Sequence, residues 1–267
     1  GSSQTLTPHV FTGLVGTLAP PLVLDGNPNT YLVAADNIDN KVTLYTLTNS
    51  AADPPTLSGP ATIPVAAYTA PANAPQPGTT ATLDTSDSRF VNAGTQIGNS
   101  LFQVHSIASG GFARCRFYEF DTVNRQVIQS GTFGRSATSF DFNVSIAANR
   151  RKDVFVTWSA TDVSNSVNAE VRFSGRLHTD PPGVIPGPGS LLFGSNTYYF
   201  ADISTSAQRW GDYSAVSLDP ADPRGLTAWI VNERILTTAT WGSRIGRIGL
   251  PPYGSSLPAV YLLLLQD

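Results

Sequence analysis

Apolar and polar residues alternate along most of this chain in short runs, each closed by Gly, Pro, Asn or Asp. A period of two with such punctuation predicts strands joined by turns. The first two strands fall at 30–35 and 41–48, joined by the turn-rich Asp36-Asn37-Ile38-Asp39-Asn40, and a third follows at 61–65. Further runs predict strands at 100–107, 113–121, 125–131, 142–147, 153–159, 168–175 and 197–203. The stretch 209–248 predicts three more, and Val260-Tyr261-Leu262-Leu263-Leu264-Leu265 one at the end. Between the third and fourth runs lies 70–78, where three prolines fix φ and remove donors, so it is expected as an extended connection across the surface or one end. Residues 1–20 are expected as an irregular lead-in and 251–267 as a closing segment.

Three stretches share one order of features. Ser145-Ile146, then 153–158, then Glu170-Val171-Arg172 matches Ser214-Ala215-Val216, then Thr227-Ala228-Trp229, then Trp241-Gly242-Ser243-Arg244. A fainter copy runs Arg89-Phe90-Val91, 101–104, Cys115-Arg116-Phe117. Each is an outer turn, an apolar strand, a polar loop and a second strand with an arginine. Such a unit cannot bury both faces alone, so repetition implies stacking. Strands apolar on both faces, as at Val154-Phe155-Val156-Thr157-Trp158, suit sheets covered on both sides. The expected fold is all-β: one β-propeller domain over 1–267, built of four-stranded antiparallel sheets. At about 40–50 residues per blade it would have about five, or be part of a larger ring.

Composition agrees. Charged residues are 13% and hydrophobic ones 41%, with 23 Gly and 20 Pro, a balance of many short strands and turns. The formal charge of −3 with no basic stripe argues against nucleic acid as a partner. Arg150-Arg151-Lys152 is expected as a solvated turn between strands. The lone Cys115 forms no internal disulfide and is expected as a small buried hydrophobe. His9, His105 and His178 share no ligand spacing, and His105, inside a strand, is expected as a satisfied core histidine. The apolar C-terminal run is too short to span a bilayer. Sparse charge and abundant Ser, Thr and Asn suggest a secreted or cell-surface protein.

The run Arg209-Trp210-Gly211-Asp212-Tyr213-Ser214, followed by Asp219-Pro220, by Trp229-Ile230-Val231-Asn232-Glu233 and by 241–246, resembles a group of large exported bacterial proteins. Their β-propeller regions are similar to sialidase and BNR-repeat domains. The resemblance covers roughly 80–250 and is specific at 209–246. The Asp-box signature of sialidases is matched only loosely by 217–229, which carries insertions.

The resemblance implies a candidate catalytic set. Sialidase-type chemistry needs an arginine cluster gripping a carboxylate, a Tyr activated by Glu and an acidic proton donor. Arg116, Arg172, Arg209 and Arg244 would form the cluster, with Tyr213 as nucleophile, Glu233 as base and Asp212 as acid. The same residues also fit a structural role, with Arg209 and Asp212 bridging blades. Trp210, Trp229 and Trp241 suit a sugar-stacking platform or packing between blades. No organic cofactor is expected, but Asp36 and Asp39, or Asp84 and Asp87, lie in oxygen-rich loops that suit either a structural Ca²⁺ or plain turn capping. The leading functional expectation is a binding or structural module that recognises glycan or protein through loops at one end of the ring. The alternatives are a sialidase-like glycoside hydrolase and a subunit of a cell-surface assembly. Oligomeric state is not legible.

Overall fold

A computed structural model describes residues 8–251 and the backbone of Tyr261–Gln266. The first residues of the expected lead-in (1–7) and most of the closing segment (252–260 and 267) lie outside the described residues.

The chain is a β-propeller, with four meander sheets following one another along the sequence. The first contains Thr30–Ala34, Ile38–Thr48 and Thr56–Thr69. The second contains Thr95–Ile97, Ser100–Ser109, Phe112–Asp121 and Gln126–Phe133, with Leu22–Val23 added in parallel at its inner edge. The third contains Phe140–Ala148, Val154–Asp162, Val167–Arg176 and Ser190–Gly194. The fourth contains Ala215–Leu218, Thr227–Thr237, Thr240–Gly249 and Tyr261–Gln266. A small fifth sheet pairs Ala74–Pro75, Thr82–Leu83 and Ala207–Gln208.

The two-sided apolar pattern explains the stacking. Along Val154–Asp162 every residue is buried. Its Val154, Val156, Trp158 and Ala160 pack with Phe102, Val104 and Phe117 of the second sheet. The alternate Phe155 joins Leu226, Ile230 and Ile248 of the fourth. Because side chains alternate faces, one strand supplies both layers of core. The first and second sheets meet over Val33, Val42, Ile63, Phe90, Leu101 and Phe120.

Polar side chains close the seam where inner segments converge. Ser145 and Ser214, equivalent positions of the sequence repeat, hydrogen-bond each other at 2.7 Å, and Asn92 Nδ2 donates to both. The seam also holds His105, whose burial lowers its pKa to about 4. Its Nδ1–H donates to the Ser88 carbonyl at 2.7 Å, so Nε2 accepts from the Tyr118 hydroxyl at 3.1 Å. An unfolded histidine takes up its proton near 6.5, so this site removes stability as pH falls from there to about 4. In an imidazole NMR titration we expect His105 to stay neutral until about pH 4. A midpoint near 6.5 would show that the ring is not held in this way.

One sequence expectation changes beside the small sheet. The stretch 197–203 is irregular, and the strand lies earlier, at Ser190–Gly194. Here side chains replace the ladder: Gln76 accepts from Tyr199 N at 2.8 Å and donates to Tyr199 O at 2.9 Å. Gln208 Oε1 accepts from the backbone N–H groups of Ala201 and Asp202. Within the proline-rich 70–78, Ala74 and Gln76 are buried. Ala74 and Leu83 cluster with Phe142, Ala169, Trp210 and Ile235, so the small sheet caps one end of the second, third and fourth sheets.

Candidate active site

The capped end carries a cleft of about 280 Å³, lined by Tyr199, the run Arg209–Tyr213, Glu233 and Trp241. The run leads from the small sheet into the inner strand Ala215–Leu218 and turns sharply at Gly211. Gly211 has φ +76°, and a Cβ there would lie 2.1 Å from Asn143 Nδ2. That amide is fixed in turn by donating to the Trp210 carbonyl at 2.7 Å. No other residue fits this backbone without displacing the seam. The turn aims the Gly211 N–H at the Glu233 carboxylate.

Glu233 lies on Thr227–Thr237, opposite Ser243. Burial pushes its pKa up to about 7, and the nearby negative charge of Asp212 adds to the rise, while the Gly211 N–H opposes it. Asp212 is paired with Arg209 at 2.5 Å. That partner is mostly in solvent, its side chain 84% exposed. Trp210 is buried, donates Nε1–H to Ser159 Oγ at 3.2 Å and packs its ring 5.5 Å from that of Tyr199. Tyr213 is 79% exposed and Trp241 50%, so the rim presents two open aromatic faces. The cleft therefore combines a carboxyl that holds its proton near neutrality, a carboxylate neutralised by arginine, and aromatic walls. Two carboxyl groups in unlike environments are the usual means of dividing acid and base roles.

The structure brings Arg209, Trp210, Asp212, Tyr213, Glu233 and Trp241 together, but not the rest of the candidate set. Arg116 donates to the carbonyls of Ala66 and Ala67 in the first sheet. Arg172 pairs with Glu170 at 2.8 Å and donates to the Pro188 and Gly189 carbonyls. Arg244 is buried with its guanidinium 5.7 Å from the Phe193 ring. The arginine cluster therefore does not form, because Arg116 is committed to the neighbouring first sheet, Arg172 to its own sheet and an adjoining loop, and Arg244 to a ring of the third sheet. Trp229 is half-buried on the fourth sheet, outside the cleft.

The aspartates of the oxygen-rich loops are engaged locally. Asp84 accepts from Ser86 N and Asp87 from Arg89 N and Nε, while Asp39 accepts from Asn40 N. Asp36 lies beside Gly16. Among the described residues no three His, Cys, Asp or Glu side chains gather as a metal site. The loose Asp-box match at 217–229 is a folded turn, in which Asp222 accepts from Arg224 N, Leu226 N and Thr227 Oγ1. Neither Tyr199 nor the conformational role of Gly211 follows from the strand pattern. The only sequence signal for the latter was a glycine set between an apolar Trp and a charged Asp.

No family model matches the chain and no curated protein matches it. Among solved structures, an endo-arabinase from Bacteroides thetaiotaomicron VPI-5482 is 10% identical, with TM-score 0.44 over 95% of this chain and 82% of that one. A structure described as a glycoside hydrolase is 7% identical, with TM-score 0.42 over 93% of this chain and 48% of that one. An α-L-arabinofuranosidase from Lactobacillus brevis is 11% identical, with TM-score 0.40 over 87% of this chain and 74% of that one. The names of these three neighbours are those of glycoside-cleaving enzymes, in line with the alternative expectation of a glycoside hydrolase and against the leading one of a non-catalytic binding or structural module.

Proposed function

We propose that the protein is a glycoside hydrolase whose chemistry is carried by Glu233 and Asp212. The observation that carries this reading is a half-buried glutamate with its pKa near 7, in one cleft with a second carboxylate and two exposed aromatic rings. Glu233 donates a proton to the leaving glycosidic oxygen, which it can do only while still protonated at the working pH. Asp212, held by Arg209, supplies the negative charge that assists attack at the anomeric carbon, either directly or through a water. Trp241 and Tyr213 offer their faces to sugar rings.

These roles differ from those the sialidase resemblance implies, since the acid is Glu233 and not Asp212. The substrate differs as well. Arg209 is already paired with Asp212 and among the described residues no second arginine lines the cleft, so an uncharged glycoside fits better than a sialoside. The sparse charge of the chain supports an extracellular setting.

The test is a panel of neutral aryl pyranosides and furanosides, with their polymers, followed by release of reducing ends. We expect turnover of at least one neutral member and none of a sialoside. Absence of turnover across the neutral panel would contradict the reading, and turnover of the sialoside alone would contradict the assigned substrate class.

A further inference from the structure

At the end of the sheets opposite the cleft, three separate segments surround a cavity of about 600 Å³. Its walls are Leu24, the turn Asn149-Arg150-Arg151, and the turn running from Leu218 to Gly225, which includes Arg224. Arg150 and Arg224 are 74 positions apart in the chain, yet the two turns are tied together by Asn149 Nδ2, which donates to the Gly225 carbonyl at 2.8 Å. The cavity is thus framed by turns that are joined to each other and is arginine-rich, in a chain whose formal charge is −3.

Two carboxylates also line it, but both are satisfied from within their own turn and sheet. Asp219 accepts from Ala221 N at 2.9 Å and Arg247 Nε at 2.5 Å. Asp222 accepts from Arg224 N, Leu226 N and Thr227 Oγ1, all at about 3.0 Å or less, and its contact with the Arg224 guanidinium is a long 3.7 Å. Lys152 points elsewhere, to Glu119 at 2.8 Å. The exposed side chains of Arg150 and Arg224 both line this volume, which is large enough for a disaccharide. Guanidinium groups match planar and tetrahedral oxyanions with paired N–H donors.

We infer that this cavity is a second site, separate from the catalytic cleft, that binds an oxyanion-bearing glycan segment such as a uronate chain. The preference for an oxyanion rests on the arginines alone, and the choice of a glycan as its carrier rests on the proposed function. The experiment is calorimetric titration of the full chain with a galacturonate oligomer, with a neutral arabinan oligomer as control. Competition by inorganic sulfate asks whether the oxyanion alone suffices. Replacing both Arg150 and Arg224 by Ala is expected to weaken galacturonate binding about ten- to a hundredfold, the loss of charge-assisted hydrogen bonds. Glu233→Gln and the remote Arg125→Ala should leave it unchanged. Displacement by sulfate would support recognition of the oxyanion, and resistance to it would support recognition of the uronate sugar as a whole. No binding by the parent chain, equal binding by the double variant, or equal loss in Arg125→Ala would each overturn the site.

Discussion

Glu233→Gln is expected to lower glycoside hydrolysis by about 10²- to 10⁴-fold, the usual contribution of a positioned general acid. Gln keeps the volume of Glu and an oxygen that accepts the Gly211 N–H, so the turn at Gly211 is preserved. What disappears is the transferable proton. The same variant has a stability signature that separates lost chemistry from lost folding. In the native chain the carboxyl keeps its proton up to about pH 7, whereas in the unfolded chain it loses it near 4.5. The native state therefore binds more protons between these values, and stability falls as pH rises through that window. The Gln variant has no such proton to lose, so its melting temperature should equal or exceed the parent's at pH 8. Because the cleft is open to solvent, the excess should be small, roughly 2–4 °C. An inactive variant that also melts well below the parent at pH 8 would point to disruption of the site.

Asp141→Asn should have the largest effect on stability. The Asp141 carboxylate is fully buried and accepts four hydrogen bonds: from Ser139 Oγ at 2.6 Å, Arg114 Nη1 at 2.7 Å, Arg135 N at 2.8 Å and Trp158 Nε1 at 2.9 Å. These partners come from the second sheet, the third sheet and the loop between them. Asn offers one acceptor oxygen and turns an NH₂ group toward donors, and it leaves the largely buried Arg114 without its counter-charge. Breaking a buried pair in this way costs about 3–5 kcal/mol. For a chain of this size that corresponds to a fall in melting temperature on the order of 10 °C, measurable by calorimetry. A fall of only a degree or two would show that the junction of the two sheets does not depend on this carboxylate.

Much of the fold was legible because the strands carry their packing in their sequence. Val154-Phe155-Val156 announces two buried faces, and Ser145 and Ser214, aligned by the repeat, meet at the seam. The cap was not legible. Ala74–Pro75, Thr82–Leu83 and Ala207–Gln208 are too short for any periodicity, and Gln76 and Gln208 hold them through side chains. The cleft was partly legible, since five of its residues are contiguous at 209–213 and Glu233 and Trp241 follow nearby. The misplaced Arg116, Arg172 and Arg244 show the limit. An arginine on a strand does not reveal which face it takes, and cross-strand carbonyls, carboxylates and rings decide that. Nor could the turn at Arg150 be linked to Arg224 without the intervening sheets.

The most direct measurement is a carboxyl ¹³C NMR titration of Glu233, assigned by its loss in Glu233→Gln. A midpoint near pH 7 is expected. A midpoint near 4.5, the ordinary value for glutamate, would mean that Glu233 carries no proton to donate at neutrality, and would contradict its role as the acid.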